Sequence, residues 1–136
     1  MKELKVLASV ENLPQVLGFI DLELEAAGAD MKSQFHIDLA VEEIFVNIAN
    51  YAYLEEAGQA SISIDVSGMP PVAEISFSDA GKPYNPLENA DPDTKLGVED
   101  REIGGLGIFL VKKNMDELFY RHEDNHNILT IKKRLQ

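Results

Sequence analysis

The chain has 136 residues, 45% apolar and 26% charged, which bounds it to a single globular domain large enough for a real core. Its 24 acidic and 12 basic residues leave a net charge of −12, a surface that repels nucleic acid and anionic membranes and favours a partner with a basic face. There is no cysteine and no apolar run long enough to span a membrane, so disulfides, thiolate metal sites and membrane helices are excluded and a cytoplasmic location is expected.

Residues 2–8, KELKVLA, read as a strand. Asn12, with Pro14 just after it, starts a helix in which Leu13, Val16, Leu17 and Ile20 recur at helical spacing to about Ala27, where Gly-Ala-Asp breaks it. Ser33 is the expected cap of a second helix from about Gln34 to Glu56. Segments 60–67 and 72–79 alternate apolar and polar residues as half-buried strands do, and Gly-Met-Pro-Pro between them closes a hairpin. A stretch crowded with Gly, Pro, Asn and Asp then fills 80–103, longer than unstructured loops in compact domains usually run. A third helix is expected over about 106–116, then strands near 117–122 and 127–134 joined by the turn Glu-Asp-Asn-His-Asn. The pattern predicts an α+β two-layer sandwich.

The second helix is apolar around most of its circumference, so it should be largely buried. Its residues His36, Glu43, Asn47 and Asn50 nonetheless share one polar stripe about 60° wide, while Asp38 and Glu42 fall elsewhere. Glu43 and Asn47 stand one turn apart on the same face. A carboxylate on a buried helix is unfavourable unless it is paired or hydrogen-bonded. Two readings compete: a polar seam against loop backbone or water, or a ligand site in which Asn47 offers an amide oxygen to a metal and Glu43 acts on a water or hydroxyl. The three histidines (His36, His122, His126) are too scattered for a zinc site.

Gly104, Gly105 and Gly107 precede the apolar run Ile108–Val111, where each glycine disfavours a helix by about 1 kcal/mol relative to alanine. At a helix start, bare backbone lets N–H groups reach an anion such as phosphate; the competing reading is a flexible loop end. No Lys-Ser or Lys-Thr follows, so this is not a Walker loop, and neither His-Arg-Asp nor Asp-Phe-Gly occurs. A long loop, not a strand, precedes the glycines, which excludes the Rossmann fingerprint. In SDAGKPYNP, Asp79 ends a predicted strand and Gly81 and Pro83 turn the chain. A carboxylate so placed can accept a hydrogen bond from an adenine amino group, or simply close an Asx turn.

In chain order, Glu43-x-x-x-Asn47, Asp79-x-Gly81-x-Pro83 and Gly104-Gly105-x-Gly107 resemble the motifs of the GHKL ATPases, the superfamily of gyrase, histidine kinases and Hsp-type chaperones with the Bergerat fold. The segments EEIFVN, DAGKPYNP and GGLGIFLVKKNMDE are similar to those of the anti-sigma-factor serine/threonine kinases of bacterial partner-switching systems, and the likeness runs from about residue 5 to 134. The resemblance implies one histidine-kinase-like ATPase domain over 1–136, a mixed sheet covered on one face by helices, with an ATP lid within 80–103. It implies that Glu43 is the general base, that Asn47 ligates the Mg2+ bridging the ATP phosphates, and that Asp79 binds the adenine amino group with Gly81 allowing close approach of the base. Gly105 and Gly107 then contact phosphate through the backbone, and Thr130 lies near adenine. Lys82 and Arg101 are candidates to reach a phosphate or are solvated loop charges; Lys112 and Lys113 read as an exposed helix face.

The function so implied is an ATP-dependent protein serine/threonine kinase that phosphorylates a STAS-domain anti-sigma-factor antagonist and sequesters a sigma factor or equivalent target, with a homodimer as a common state. The alternative is a catalytically weak, nucleotide-gated binding module in the same kind of pathway. Two features depart from the resemblance: Tyr51 stands where some members carry histidine, and the net charge of −12 is extreme for a protein that binds anionic Mg-ATP.

Overall fold

A computed structural model describes residues 1–53, 58–88 and 105–136. Strand β1 (Lys2–Leu7) leads through a short 3₁₀ turn at Val10–Asn12 into α1 (Leu13–Ala26) and α2 (Met31–Tyr51). The hairpin β2 (Gln59–Ser67) and β3 (Val72–Asp79) follows, then α3 (Gly105–Asn114) and a second hairpin of β4 (Glu117–Glu123) and β5 (His126–Arg134). All eight elements lie close to their expected places, with the second helix shifted. It begins at Met31, and Asp30, not Ser33, is its cap: the Ser33 N–H donates to Asp30 Oδ1 at 2.7 Å. A carboxylate three residues ahead outcompetes the serine hydroxyl as acceptor for the free N–H groups of the first turn. The far end of that expected helix, residues 54–57, lies outside the described residues.

The strands form one five-stranded sheet in the order β1-β2-β3-β5-β4. Each neighbouring pair is antiparallel, so the sheet is not the mixed one expected. The two hairpins dictate this within β2–β3 and β4–β5, since strands joined by a tight turn can only run antiparallel, and β1 beside β2 and β5 beside β3 also dock antiparallel. The β4–β5 turn places Asp124 and Asn125 at φ of 52° and 62°, the left-handed conformation that short hairpin turns demand and that Asp and Asn tolerate.

Alternation sorts each strand into two faces. Ile62 and Ile64 of β2, Ile75 and Phe77 of β3, and Leu129 and Ile131 of β5 pack against the helices, where Ile20, Leu24, Ile37, Val41 and Phe45 are fully buried. Burying side chains of this kind contributes roughly 1.5–3 kcal/mol each. That outweighs the unfavourable polar stripe on α2 and holds the helix in one rotation. In that rotation Ile37, Ala40, Val41, Ile44 and Phe45 face the sheet and Glu43 and Asn47 stand on the flank toward α3.

Candidate functional site

The C-terminal half of α2, the end of β3, the start of β5 and the beginning of α3 enclose a cleft. Asn47, Asp79, Lys82 and Asn127 supply polar groups to its wall, and Phe77, Ile108 and Leu129 are among its apolar residues. A mostly apolar cleft with a few convergent polar groups is the usual form of a small-molecule site.

Glu43 and Asn47 meet as their spacing predicts: Asn47 Nδ2 donates to Glu43 Oε1 at 3.4 Å. Burial pushes the Glu43 carboxyl above its ordinary value; the Asn47 hydrogen bond opposes this and the neighbouring Glu42 charge adds to it. Glu43 also explains Gly107. A Cβ at position 107 would overlap the Glu43 carboxylate, touching its carbon and both oxygens. The anion that comes up to the glycine-bearing start of α3 here is therefore a side chain of α2. Gly105 is the first residue of α3, and Gly104 lies outside the described residues.

Asp79, 5% exposed, stands at the last position of β3. Its Oδ1 accepts from the Gly81 N–H at 2.9 Å, closing an Asx turn, and from Asn127 Nδ2 at 3.0 Å. Its Oδ2 accepts no hydrogen bond among the described residues and is left for the cleft. The Asx turn is thus made by Oδ1, with Oδ2 unpartnered among the described residues. Gly81 is needed for a reason the sequence does not show: a Cβ there would overlap the backbone carbonyl of Ala52 at the end of α2. That carbonyl accepts from the Lys82 N–H at 3.1 Å. Just beyond α2, the Tyr53 hydroxyl donates to the Gln59 carbonyl at 2.7 Å and accepts from the Ala80 N–H at 2.9 Å, so the end of β3 is held from two sides.

Thr130 does not join this group. It pairs across the sheet with Ser76, its hydroxyl 2.9 Å from Ser76 Oγ, whereas its neighbour Leu129 lines the cleft. Successive side chains of a strand point to opposite faces, so Leu129 and Thr130 cannot both face the helices, and Thr130 takes the helix-free face. The β5 residue that does reach Asp79 is Asn127, which pairs directly with it across the two strands. Counting back from Leu129 in steps of two would have found it. His36 and Asn50 also leave the stripe's common site: His36 lies beside Lys32 and Lys133 at the other end of α2, and Asn50 is exposed. Tyr51, at the departure noted above, lines the cleft. Arg101, Lys95 and most of the expected lid, residues 89–103, lie outside the described residues. Lys112 and Lys113 fall in the last turn of α3, where positive charge suits the helix dipole.

The donor set fits Mg2+. Turning Nδ2 toward Glu43 leaves Asn47 Oδ1 as a hard oxygen donor, and Mg2+ takes few protein ligands and completes its shell with water and phosphate. Among the described residues no three His, Asp or Glu converge into a full protein cage. Among the same residues no helix is long and apolar enough to cross a membrane.

Comparison with known proteins places the chain in a family. Residues 6–133 match the model of the histidine kinase-like ATPase domain. The chain is 26% identical over 98 residues to the serine/threonine-protein kinase BtrW of Bordetella bronchiseptica, a match spanning 72% of this chain and 68% of that protein. Its fold resembles that of the RsbU and RsbW domains of Rv1364c from Mycobacterium tuberculosis, with a TM-score of 0.65 and 16% identity over 99% of this chain and only 33% of that one. It also resembles the histidine kinase domain of the blue-light activated histidine kinase EL346 from Erythrobacter litoralis, with a TM-score of 0.52 and 17% identity over 90% of this chain and 61% of that one. With nearly its whole length matched, the chain belongs to the histidine kinase-like ATPase domain family.

Proposed function

We propose that this protein is an ATP-dependent serine/threonine kinase of the partner-switching kind. In this reading it phosphorylates a STAS-domain antagonist and sequesters a sigma factor or equivalent target. The observation that carries the reading is that Asn47 of α2 and Asp79 of β3 line one cleft, with Glu43 hydrogen-bonded to Asn47 one turn back on the same helix. Membership of an ATPase family supports ATP as the ligand, and the likeness to BtrW supports a serine or threonine as acceptor.

In this reading adenine enters the apolar end of the cleft and its amino group donates to Asp79 Oδ2. The triphosphate runs toward the start of α3, where the backbone N–H groups of Gly105 and Gly107 would reach it beside the Glu43 carboxylate. Asn47 would hold Mg2+ through its amide oxygen, and the ion, when bound, would neutralise phosphate charge. Glu43 takes the proton of the attacking hydroxyl. The hydroxyl oxygen then bonds to the γ-phosphorus and the bridging oxygen leaves with ADP, so positioning and charge neutralisation supply most of the acceleration. The raised proton affinity of Glu43 suits it to this task, because a general base works best when its pKa approaches the working pH.

The test is incubation with labelled ATP, Mg2+ and a STAS-domain protein. Label should move to a serine or threonine of the partner, and Glu43→Ala should lower the rate on the order of 10²–10⁴-fold while ATP still binds. Transfer undiminished in Glu43→Ala rejects Glu43 as base. Partner binding that responds to ATP against ADP, with no transfer, identifies the nucleotide-gated binding module instead.

A further inference from the structure

We infer that Asn127 is a positioning residue for base selection: it fixes Asp79 so that a single acceptor faces the base, and it ties that acceptor to the loop entry at 82–84. The inference rests on the adenine-nucleotide reading of the cleft and adds to it a residue that acts through Asp79.

Asn127 is 7% exposed, and its side-chain amide is fully used. Nδ2 donates to Asp79 Oδ1 at 3.0 Å and to the Lys82 carbonyl at 2.9 Å. Oδ1 accepts from the Tyr84 N–H at 3.1 Å and from the Tyr120 hydroxyl. A primary amide has two N–H donors and two acceptor lone pairs, so none is left for a ligand. Its work is therefore done on its four neighbours.

The effect on Asp79 is specific. With the Gly81 N–H and Asn127 both on Oδ1, the carboxylate cannot swing, and Oδ2 is the oxygen left for the cleft. A purine with a 6-amino group donates to that oxygen. A purine lacking the group leaves it unpaired, and one carrying a 6-oxo group sets two acceptors against each other. The same amide grips the Lys82 carbonyl and the Tyr84 N–H, two backbone groups just past Asp79. Tyr120 of β4, which also lines the cleft, braces it through its hydroxyl. Base acceptor and loop entry thus share one side chain, and disturbing either disturbs the other.

The test is calorimetric titration of the wild type, Asn127→Ala and Tyr120→Phe with Mg-ATP and with the Mg complex of purine riboside triphosphate, which lacks the 6-amino group. Thermal melts of each variant check folding. The wild type is expected to prefer ATP by about tenfold or more, the usual worth of a hydrogen bond to a charged group. In Asn127→Ala that preference should fall below about threefold, because ATP weakens while the analogue hardly changes. Tyr120→Phe removes one brace and should narrow the preference by about twofold; if Asn127→Ala fails to fold, this variant decides. A preference kept in the folded variants, or equal weakening of both ligands, overturns the inference, since a merely structural residue would act on both alike. A wild type that binds both triphosphates equally overturns the inference and the contact between the adenine amino group and Asp79 but leaves nucleotide binding standing, whereas one that binds neither sinks the nucleotide reading with it.

Discussion

The carboxylate of Glu43 occupies the space that a Cβ at position 107 would need, so the second helix and the start of the third are fitted to each other at the one atom glycine lacks. This answers why a residue unfavourable to helices stands at the third position of α3. A side chain there would either push Glu43 off the helix start or open the α2–α3 contact.

Gly107→Ala should therefore destabilise the protein by about 1–3 kcal/mol, the usual result of overpacking, instead of stabilising it as alanine does in an ordinary helix. The same change in a Glu43→Ala background should be neutral or favourable, because the overlapping group has gone. Urea unfolding of the four proteins in this cycle measures the coupling. Additive effects would contradict the contact.

Gly81→Ala addresses a different close approach. The added Cβ meets the Ala52 carbonyl, so the Lys82 N–H loses its acceptor at the end of α2. A loss of about 1–3 kcal/mol is expected in thermal or urea melts. Because Asp79 turns on the Gly81 N–H, affinity for Mg-ATP should fall as well.

Thr130→Val separates the two faces of the sheet. It removes a hydrogen bond to Ser76 on the face without helices, worth about 1 kcal/mol. Nucleotide affinity should stay within about twofold of the wild type, since Thr130 is one residue out of phase with the cleft. A large loss of ATP binding by titration calorimetry would place Thr130 at the site after all.

The α1–α2 seam makes the stability depend on pH. Asp38 is pushed up to about 8, first by burial, then by its hydrogen bond with Asp21 and the charges of Asp21 and Glu25 on α1. One oxygen each of Asp21 and Asp38 is buried without a partner, which a proton shared between the carboxyls would satisfy. The folded state then holds a proton that the unfolded chain releases near the ordinary carboxyl value of 3.8. Its stabilising contribution is complete below that value and is lost as pH rises through about 8. The urea midpoint should be higher at pH 6 than at pH 9, and Asp38→Asn should flatten the difference. Equal slopes in both proteins would rule out Asp38 as the source.

Much of this was legible in the residue order, and each miss has a definite physical origin. Alternation in 60–67 and 72–79 and helical spacing in α1 and α2 are local patterns, and they placed those elements closely. Glu43 and Asn47 share a face because 3.6 residues make a turn, whatever the helix packs against. The cap of α2 was misread because Ser33 and Asp30 are both good caps and only the helix start chooses between them. The sense of the sheet and the face of Thr130 depend on which strand docks beside which, and no local pattern carries that information.

Local order in the chain was thus enough to decide which residues belong to helices and strands, which face each helix buries, and that a carboxylate and an amide stand one turn apart. Only folding decided that Asn127 pairs with Asp79, that Gly107 makes room for Glu43, and that Gly81 makes room for Ala52. Those partners are far apart in sequence, and their contact is created when β5 takes its register beside β3 and the loops close onto the end of α2. Periodicity is a property of neighbouring residues, whereas register and close approach are properties of packing, and here it is packing that assembles the cleft.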